Sequence, residues 1–272
     1  MNPDLQQPGW RKLVPFLFWP VFFISHLLAV SLLAWHLLAQ INFAYPLGYT
    51  LLNISAQVQE FAPHNRYKAG FEQTTSAEHV RLFAEIVDAI QHHGKGLAEI
   101  KYTLPDGRSS ELMHNAEIIH LQDVANLLDR LYSIGISAGI IWLILLAIAH
   151  RFKLSQPPLA RVLLGSCIGL AVISIGVIGL GATEVFYWLH TQVFPEGHQW
   201  FFYYEESLMT TLMKAPDIFG FIALLLLGLI IILWAASIWA SNRLLKPVAI
   251  AASPTPVAAP TTHKRAKAKR KK

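Results

Sequence analysis

The sequence predicts an α-helical integral membrane protein with four transmembrane helices, both termini in the cytoplasm, and a small α+β extracytoplasmic domain between spans one and two. Three observations carry that prediction. Of the 272 residues 54% are hydrophobic and only 14% charged, too apolar for an ordinary soluble domain. Four apolar stretches reach the roughly 20 residues that a helix needs to cross a hydrocarbon core of about 30 Å. Charge is also partitioned along the chain. Arg11 and Lys12 precede the first stretch, Arg151, Lys153 and Arg161 fill the link between the second and third, and Arg243 and Lys246 follow the fourth. Of the 17 acidic residues, all but Asp4 fall within 42–130 and 184–217. Basic flanks stay in the cytoplasm, so those two segments face outward.

Residues 1–12 form the cytoplasmic N-terminus, and 13–41 the first span, which is too long and starts too late for a cleaved signal peptide. It carries two histidines. His26, near mid-membrane, is expected to be a neutral imidazole satisfied by a neighbouring helix, and His36 lies nearer the outer face. Segment 42–130 is the outer domain, poor in core by itself. Thr75 with Glu78 makes a capping box before an amphipathic run that ends at Gly94. Ile100, Tyr102 and Leu104 then alternate with polar residues up to Pro105-Asp106-Gly107, a strand-and-turn signature.

The next helix starts at Asn115, whose side-chain oxygen suits an N-cap, and Ile118, Leu121, Val124 and Leu128 give it a buried face. It runs past Arg130 directly into the second span, 131–150, followed by the cytoplasmic link 151–161. The third span, 162–183, contains Gly165 and Gly169 at the spacing that lets helices approach closely. It also holds the single cysteine, Cys167, read as a small residue buried among packed helices. The outer stretch 184–217 is dense in aromatics, as expected of a loop in the headgroup layer, and 218–241 is the fourth span.

The net charge of +5 belongs to the disordered, polybasic cytoplasmic tail, 242–272. Seven of the 22 basic groups lie within Lys264–Lys272, a cluster suited to anionic lipid headgroups. The folded part carries no basic excess, so nucleic-acid binding has no support there.

Two histidines stand out. His120 lies just outside the second span with Asp123 three residues on, close enough to accept an imidazole N–H and orient the ring. His190 sits among the aromatics that follow the third span, where a plain aromatic belt does not explain it. Two imidazoles of near-neutral pKa can take a proton from one reacting group and return it to another. Trp200, Tyr203, Glu184 and His36 are further candidates to line such a site. Nothing in the pattern calls for a cofactor, and no two histidines stand at the i, i+4 spacing of a helical metal pair, so metal is the weaker reading.

Several pieces taken together resemble the bacterial lipoprotein intramolecular transacylase (Lit) family. They are His120-Leu121-Gln122-Asp123-Val124 before span two, Leu189-His190 through Phe194-Pro195, Trp200-Phe201, and the run from Leu208 to Phe219 before span four. The resemblance covers roughly residues 13–241. It implies a multi-pass protein of the bacterial cytoplasmic (inner) membrane whose active site lies on the extracytoplasmic face. There the sn-2 acyl chain of a diacylated lipoprotein's diacylglyceryl-cysteine would move to that cysteine's α-amine, giving a lyso-form lipoprotein. His120 and His190 would transfer protons, with Asp123 orienting His120. The chain lacks a Gly-x-Ser-x-Gly elbow, and an intramolecular transfer needs no protein nucleophile. Two other readings share the topology: a non-enzymatic membrane assembly factor, and a membrane acyltransferase or hydrolase that uses phospholipid directly.

Overall fold

The computed structural model describes residues 10–154 and 156–245. Of the expected tail 242–272, residues 242–245 continue the last helix, and the rest lies outside the described residues. Among the described residues four helices are long and apolar enough to cross a membrane. They are α1 (Trp10–Gln40) and, later in the chain, α5 (Asn115–Arg151), α6 (Leu159–Leu180) and α9 (Asp217–Leu245). Between α1 and α5 come α2 (Tyr45–Leu51), α3 (Ile54–Phe61), α4 (Ser76–Gln91) and a hairpin of β1 (Lys101–Thr103) with β2 (Ser109–Glu111). Between α6 and α9 lie α7 (Ala182–Val193) and the single-turn-and-a-half α8 (Leu208–Met213).

The bundle is asymmetric. α1 packs along α5 and, less extensively, α9, while α6 touches α9 and α7 only sparsely. At the α1–α5 crossing a Cβ on Gly135 would come within 2.7 Å of the Leu32 side chain, so only glycine permits this approach. His26 is fully buried there; its Nε2 donates to Ser237 Oγ of α9 at 2.7 Å, and the ring stacks on Trp142 of α5. A neighbouring helix thus bonds one ring nitrogen, whereas Nδ1 is buried without a hydrogen-bond partner among the described residues, so the expected satisfaction is only half met. The third span differs from expectation. A Cβ added at Gly165 or Gly169 would meet nothing within 4 Å, and Cys167 is exposed, because no helix of the described chain lies across that face of α6.

α5 is 37 residues long, about 55 Å at 1.5 Å per residue, and so exceeds the hydrocarbon core. Its C-terminal half exposes Leu131, Ile134, Ile140 and Ile144, a face suited to lipid. Its first turns instead pack Leu121, Ala125 and Leu128 inward against the outer layer. The N-cap is His114, one residue earlier than expected: Glu117 accepts the His114 backbone N–H at 2.8 Å, and Asn115 takes the first helical position.

The outer layer has one core, around Tyr45, Phe71, Leu82, Ile86, Tyr102 and Leu112. Residues 42–130 do not close it alone. Every residue of α8 is buried, with Leu208 and Leu212 inside that core, and the Tyr45 hydroxyl donates to the Leu212 carbonyl at 2.7 Å. The two outer segments therefore build a single layer. Thr75 caps α4 by accepting the Glu78 N–H at 3.2 Å. The hairpin pairs Tyr102 with Ser110 and turns at Gly107, whose φ of +84° suits glycine. Buried His79 accepts from the Tyr49 hydroxyl at 2.8 Å and donates to Thr74 Oγ1 at 2.7 Å, a bonding role that the sequence pattern did not indicate.

Candidate functional site

A cavity of about 700 Å³ opens where α5, α7 and α8 meet the start of α9. Its lining is mostly apolar: Leu121 and Val124 from α5, Met209 and Met213 from α8, Phe219 from α9, and Phe186 and Tyr187 from α7. Two imidazoles face it, His120 and His190. Such an apolar pocket with few convergent polar groups is the usual form of a site for a largely apolar ligand.

Each histidine has its own environment. His120 leaves the buried face of α5 and is flanked edge-on by Phe194, centroids 5.0 Å apart, and by Phe202 at 6.0 Å. Its Nδ1 is buried without a hydrogen-bond partner in the protein. Burial, and next the positive form of His190, push its pKa down to about 4, against the opposing pull of Asp123. At neutral pH His120 is an uncharged ring that still carries one N–H. His190 lies in the last turn of α7, where its Nδ1 donates to the Phe186 carbonyl at 2.8 Å. That bond places the proton on Nδ1 and leaves Nε2 as the free lone pair. Trp200 covers its ring at 4.7 Å, and Phe194 touches it as well, at 5.3 Å. Phe194 thus lies between the two imidazoles.

The remaining expectations divide. Trp200 lines the cavity. Tyr203 is 61% exposed and Glu184 is also exposed, and neither lines it. His36 is remote, donating from Nδ1 to Tyr132 at 3.1 Å on the α1–α5 side. Asp123 is one turn from His120 yet forms no bond with it; its Oδ2 accepts from His198 Nδ1 at 2.6 Å. The reason is directional: His120 turns in toward the aromatics, whereas Asp123 reaches outward to the segment that follows α7.

Residues that the sequence pattern did not single out complete the site. The aromatic stretch is not one loop. Gly181, at φ +90°, breaks α6 from α7, and α7 carries His190. Ser207 caps α8 by accepting the Thr210 N–H at 2.8 Å, and its hydroxyl donates to the buried Glu117 carboxylate. Glu117 is one turn before His120, so this bond ties α8 to α5 beside the cavity. Burial raises the Glu117 pKa, with the Ser207 bond opposing. No sequence spacing pairs Glu117 with Ser207 or Asp123 with His198, since each pair joins distant segments. Among the described residues no group of three His, Cys, Asp or Glu side chains is arranged to hold a metal ion.

The family model described as "Lipoprotein intramolecular transacylase Lit" matches residues 20–219. An in meso structure of the membrane-integral lipoprotein intramolecular transacylase Lit from Bacillus cereus, carrying a His-to-Arg substitution, superposes with a TM-score of 0.63 at 17% identity. The match covers 87% of this chain and 94% of that one, and at such identity it speaks for the fold. No curated protein sequence matches the chain.

Proposed function

The chain belongs to the lipoprotein intramolecular transacylase family, a family of membrane acyltransferases, and we propose that it moves the sn-2 acyl chain of a lipoprotein's diacylglyceryl-cysteine onto that cysteine's α-amine. The observation that carries this reading is the meeting of His120 and His190, from separate helices, at one apolar cavity.

The amine nitrogen attacks the ester carbonyl and forms the new C–N bond. His190 Nε2, free because Nδ1 is engaged with Phe186, takes the proton that the amine must lose. The neutral His120 ring donates its N–H toward the carbonyl oxygen, where negative charge develops. As the tetrahedral intermediate collapses, the ester C–O bond breaks and His190 returns the proton to the glycerol oxygen. No acyl-enzyme forms, because amine and ester belong to one molecule. Holding them together is worth an effective molarity of about 10⁵ M or more. The apolar lining suits the migrating acyl chain. The reaction then belongs on the outer face of a bacterial cytoplasmic membrane, where diacylated lipoproteins are anchored, and the basic tail is suited to anionic headgroups on the opposite face.

The test is mass spectrometry of a lipoprotein's N-terminal peptide from cells without N-acyltransferase that express this protein. Wild type should shift one acyl chain from glycerol to the amine with no change in total mass, and His120→Ala and His190→Ala should each lose at least 10³-fold in rate, about 4 kcal/mol of barrier. A peptide that gains an amide-linked chain while keeping both esters would assign the donor to phospholipid instead. A peptide that stays diacylated with a free amine would sink the transacylase reading.

A further inference from the structure

We propose that Asp123 and His198 form a latch that positions the two site histidines against each other, a role that rests on the transacylase reading for its catalytic consequence. His120 and His190 stand on separate elements. α5 is anchored in the bundle and in the outer core, but α7 is not: Phe186, Tyr187, Trp188 and Leu189 all remain exposed. What joins α7 to α5 is the segment 194–202. Three of its side chains touch the site histidines: Phe194 against both, Trp200 against His190, and Phe202 against His120.

That segment has no regular structure, and its other hydrogen bonds are local. Phe194 N bonds to the His190 carbonyl, His198 N to the Pro195 carbonyl at 3.3 Å, and Gln199 to the Phe201 carbonyl. Among the described residues, the His198 Nδ1 to Asp123 Oδ2 bond of 2.6 Å is the only polar bond that ties 194–202 to another part of the fold. Turn chemistry aims it. Pro195-Glu196-Gly197-His198 closes a tight turn whose third residue, Gly197, has φ +83°, the sign a type II turn demands. His198 emerges from that turn facing α5. Asp123, with its side chain 12% exposed, is shielded enough for a charge-assisted bond to hold its geometry. Asp123 and His198 are thus positioning residues: they do not line the cavity, yet they fix the aromatics that do. A displacement of about 1 Å between reacting groups can cost on the order of a hundredfold in rate.

The experiment uses the purified full-length protein in detergent, with a synthetic diacylglyceryl lipopeptide and mass-spectrometric detection. Asp123→Ala, His198→Leu, the double variant and His198→Gln are compared with wild type, together with hydrogen exchange of the peptide spanning 194–202. A latch predicts that each single loss lowers kcat about ten- to a hundredfold with KM changed less than about threefold. The double variant should lose no more than the worse single, and His198→Gln, which keeps a donor, should recover most of the rate. Exchange across 194–202 should rise at least tenfold in His198→Leu while the α1–α5 amides stay protected. Wild-type kcat in His198→Leu would overturn the proposal. So would multiplying losses in the double variant, which would mean that Asp123 acts on another partner. If wild type itself fails to convert the lipopeptide, the transacylase reading fails, and unchanged exchange in 194–202 would then remove the latch separately.

Discussion

His79 is a buried and His120 a half-buried imidazole of the outer layer, and burial pushes both pKa values down to about 4. Their chemistry differs because their partners do. His79 has both ring nitrogens bonded, to Tyr49 and Thr74, while His120 keeps Nδ1 unpartnered beside a cavity. With both nitrogens bonded His79 can only hold the fold, whereas His120 faces the cavity with bonding capacity unused. The consequence for His79 is measurable. Its folded pKa lies below the ordinary 6.5, so the unfolded chain takes up the proton first. The stability it contributes is complete above about pH 6.5, falls as pH drops, and is lost by about pH 4. Over that whole interval the loss is about 3 kcal/mol. His79→Phe should therefore be less stable than wild type at pH 7, yet lose about 2 kcal/mol less on acidification to pH 4.5. Denaturant unfolding in detergent at both pH values checks this, and parallel losses in the two proteins would refute it. At this scale the sequence exposed the two site histidines, through their place at span ends. It did not expose their partners. Asp123 reads as a partner of His120 from i, i+3 spacing alone, and no local pattern reports that His198, from a different element, reaches it instead.

Helices with strong periodicity or clear caps were legible as elements: α4 behind Thr75, the hairpin around Pro105-Asp106-Gly107, and the four long spans. α8 was not, since Leu208-Met209-Thr210-Thr211-Leu212-Met213 is buried on all sides and therefore has no amphipathic period to read. Its placement depends on Ser207 and Glu117. Because burial raises the Glu117 pKa, that group's favourable contribution is present at low pH and is lost as pH climbs through its folded value. Glu117→Gln should then match or exceed wild-type stability at pH 8. Glu117→Ala, which strands both the His114 N–H and the Ser207 hydroxyl, should cost about 2–3 kcal/mol. Thermal melts of the three proteins at pH 8 decide it; a Gln variant as damaged as the Ala variant would show that the charge itself is needed. Glycines in the spans divide along the same line. Gly135→Ala must push against Leu32 and should cost about 1–3 kcal/mol, whereas Gly165→Ala and Gly169→Ala meet open space and should leave the isolated chain's stability unchanged. Gly-x-x-x-Gly spacing marks close-packing capacity, and α6 shows that capacity need not be used within one chain.

At the scale of the whole molecule, the site lies above one end of the bundle. His120 precedes the first lipid-suited residue of α5, Leu131, by 11 positions, about 16 Å along the helix axis. The cavity also reaches Pro216 and Phe219, where α9 begins. A substrate anchored by acyl chains can therefore stay in the bilayer while its ester and amine rise to the imidazoles, provided that this end faces the outer leaflet. The charge asymmetry argues that it does. Arg151 and Lys153 lie at the opposite end of α5, and acidic residues crowd the site's end. Cysteine labelling on intact cells tests the orientation, with Cys167→Ser as background because Cys167 is exposed on α6. A cysteine replacing Asp106 at the hairpin tip, or Glu196 in the turn before His198, should react with a membrane-impermeant maleimide. One replacing Phe152, 69% exposed at the foot of α5, should react only after permeabilisation. The reverse pattern would put the histidines on the cytoplasmic side, away from the mature lipoprotein, and the proposed reaction could not occur there. Labelling at both sets of positions in unbroken cells would mean mixed insertion, with only the outward-facing fraction able to act.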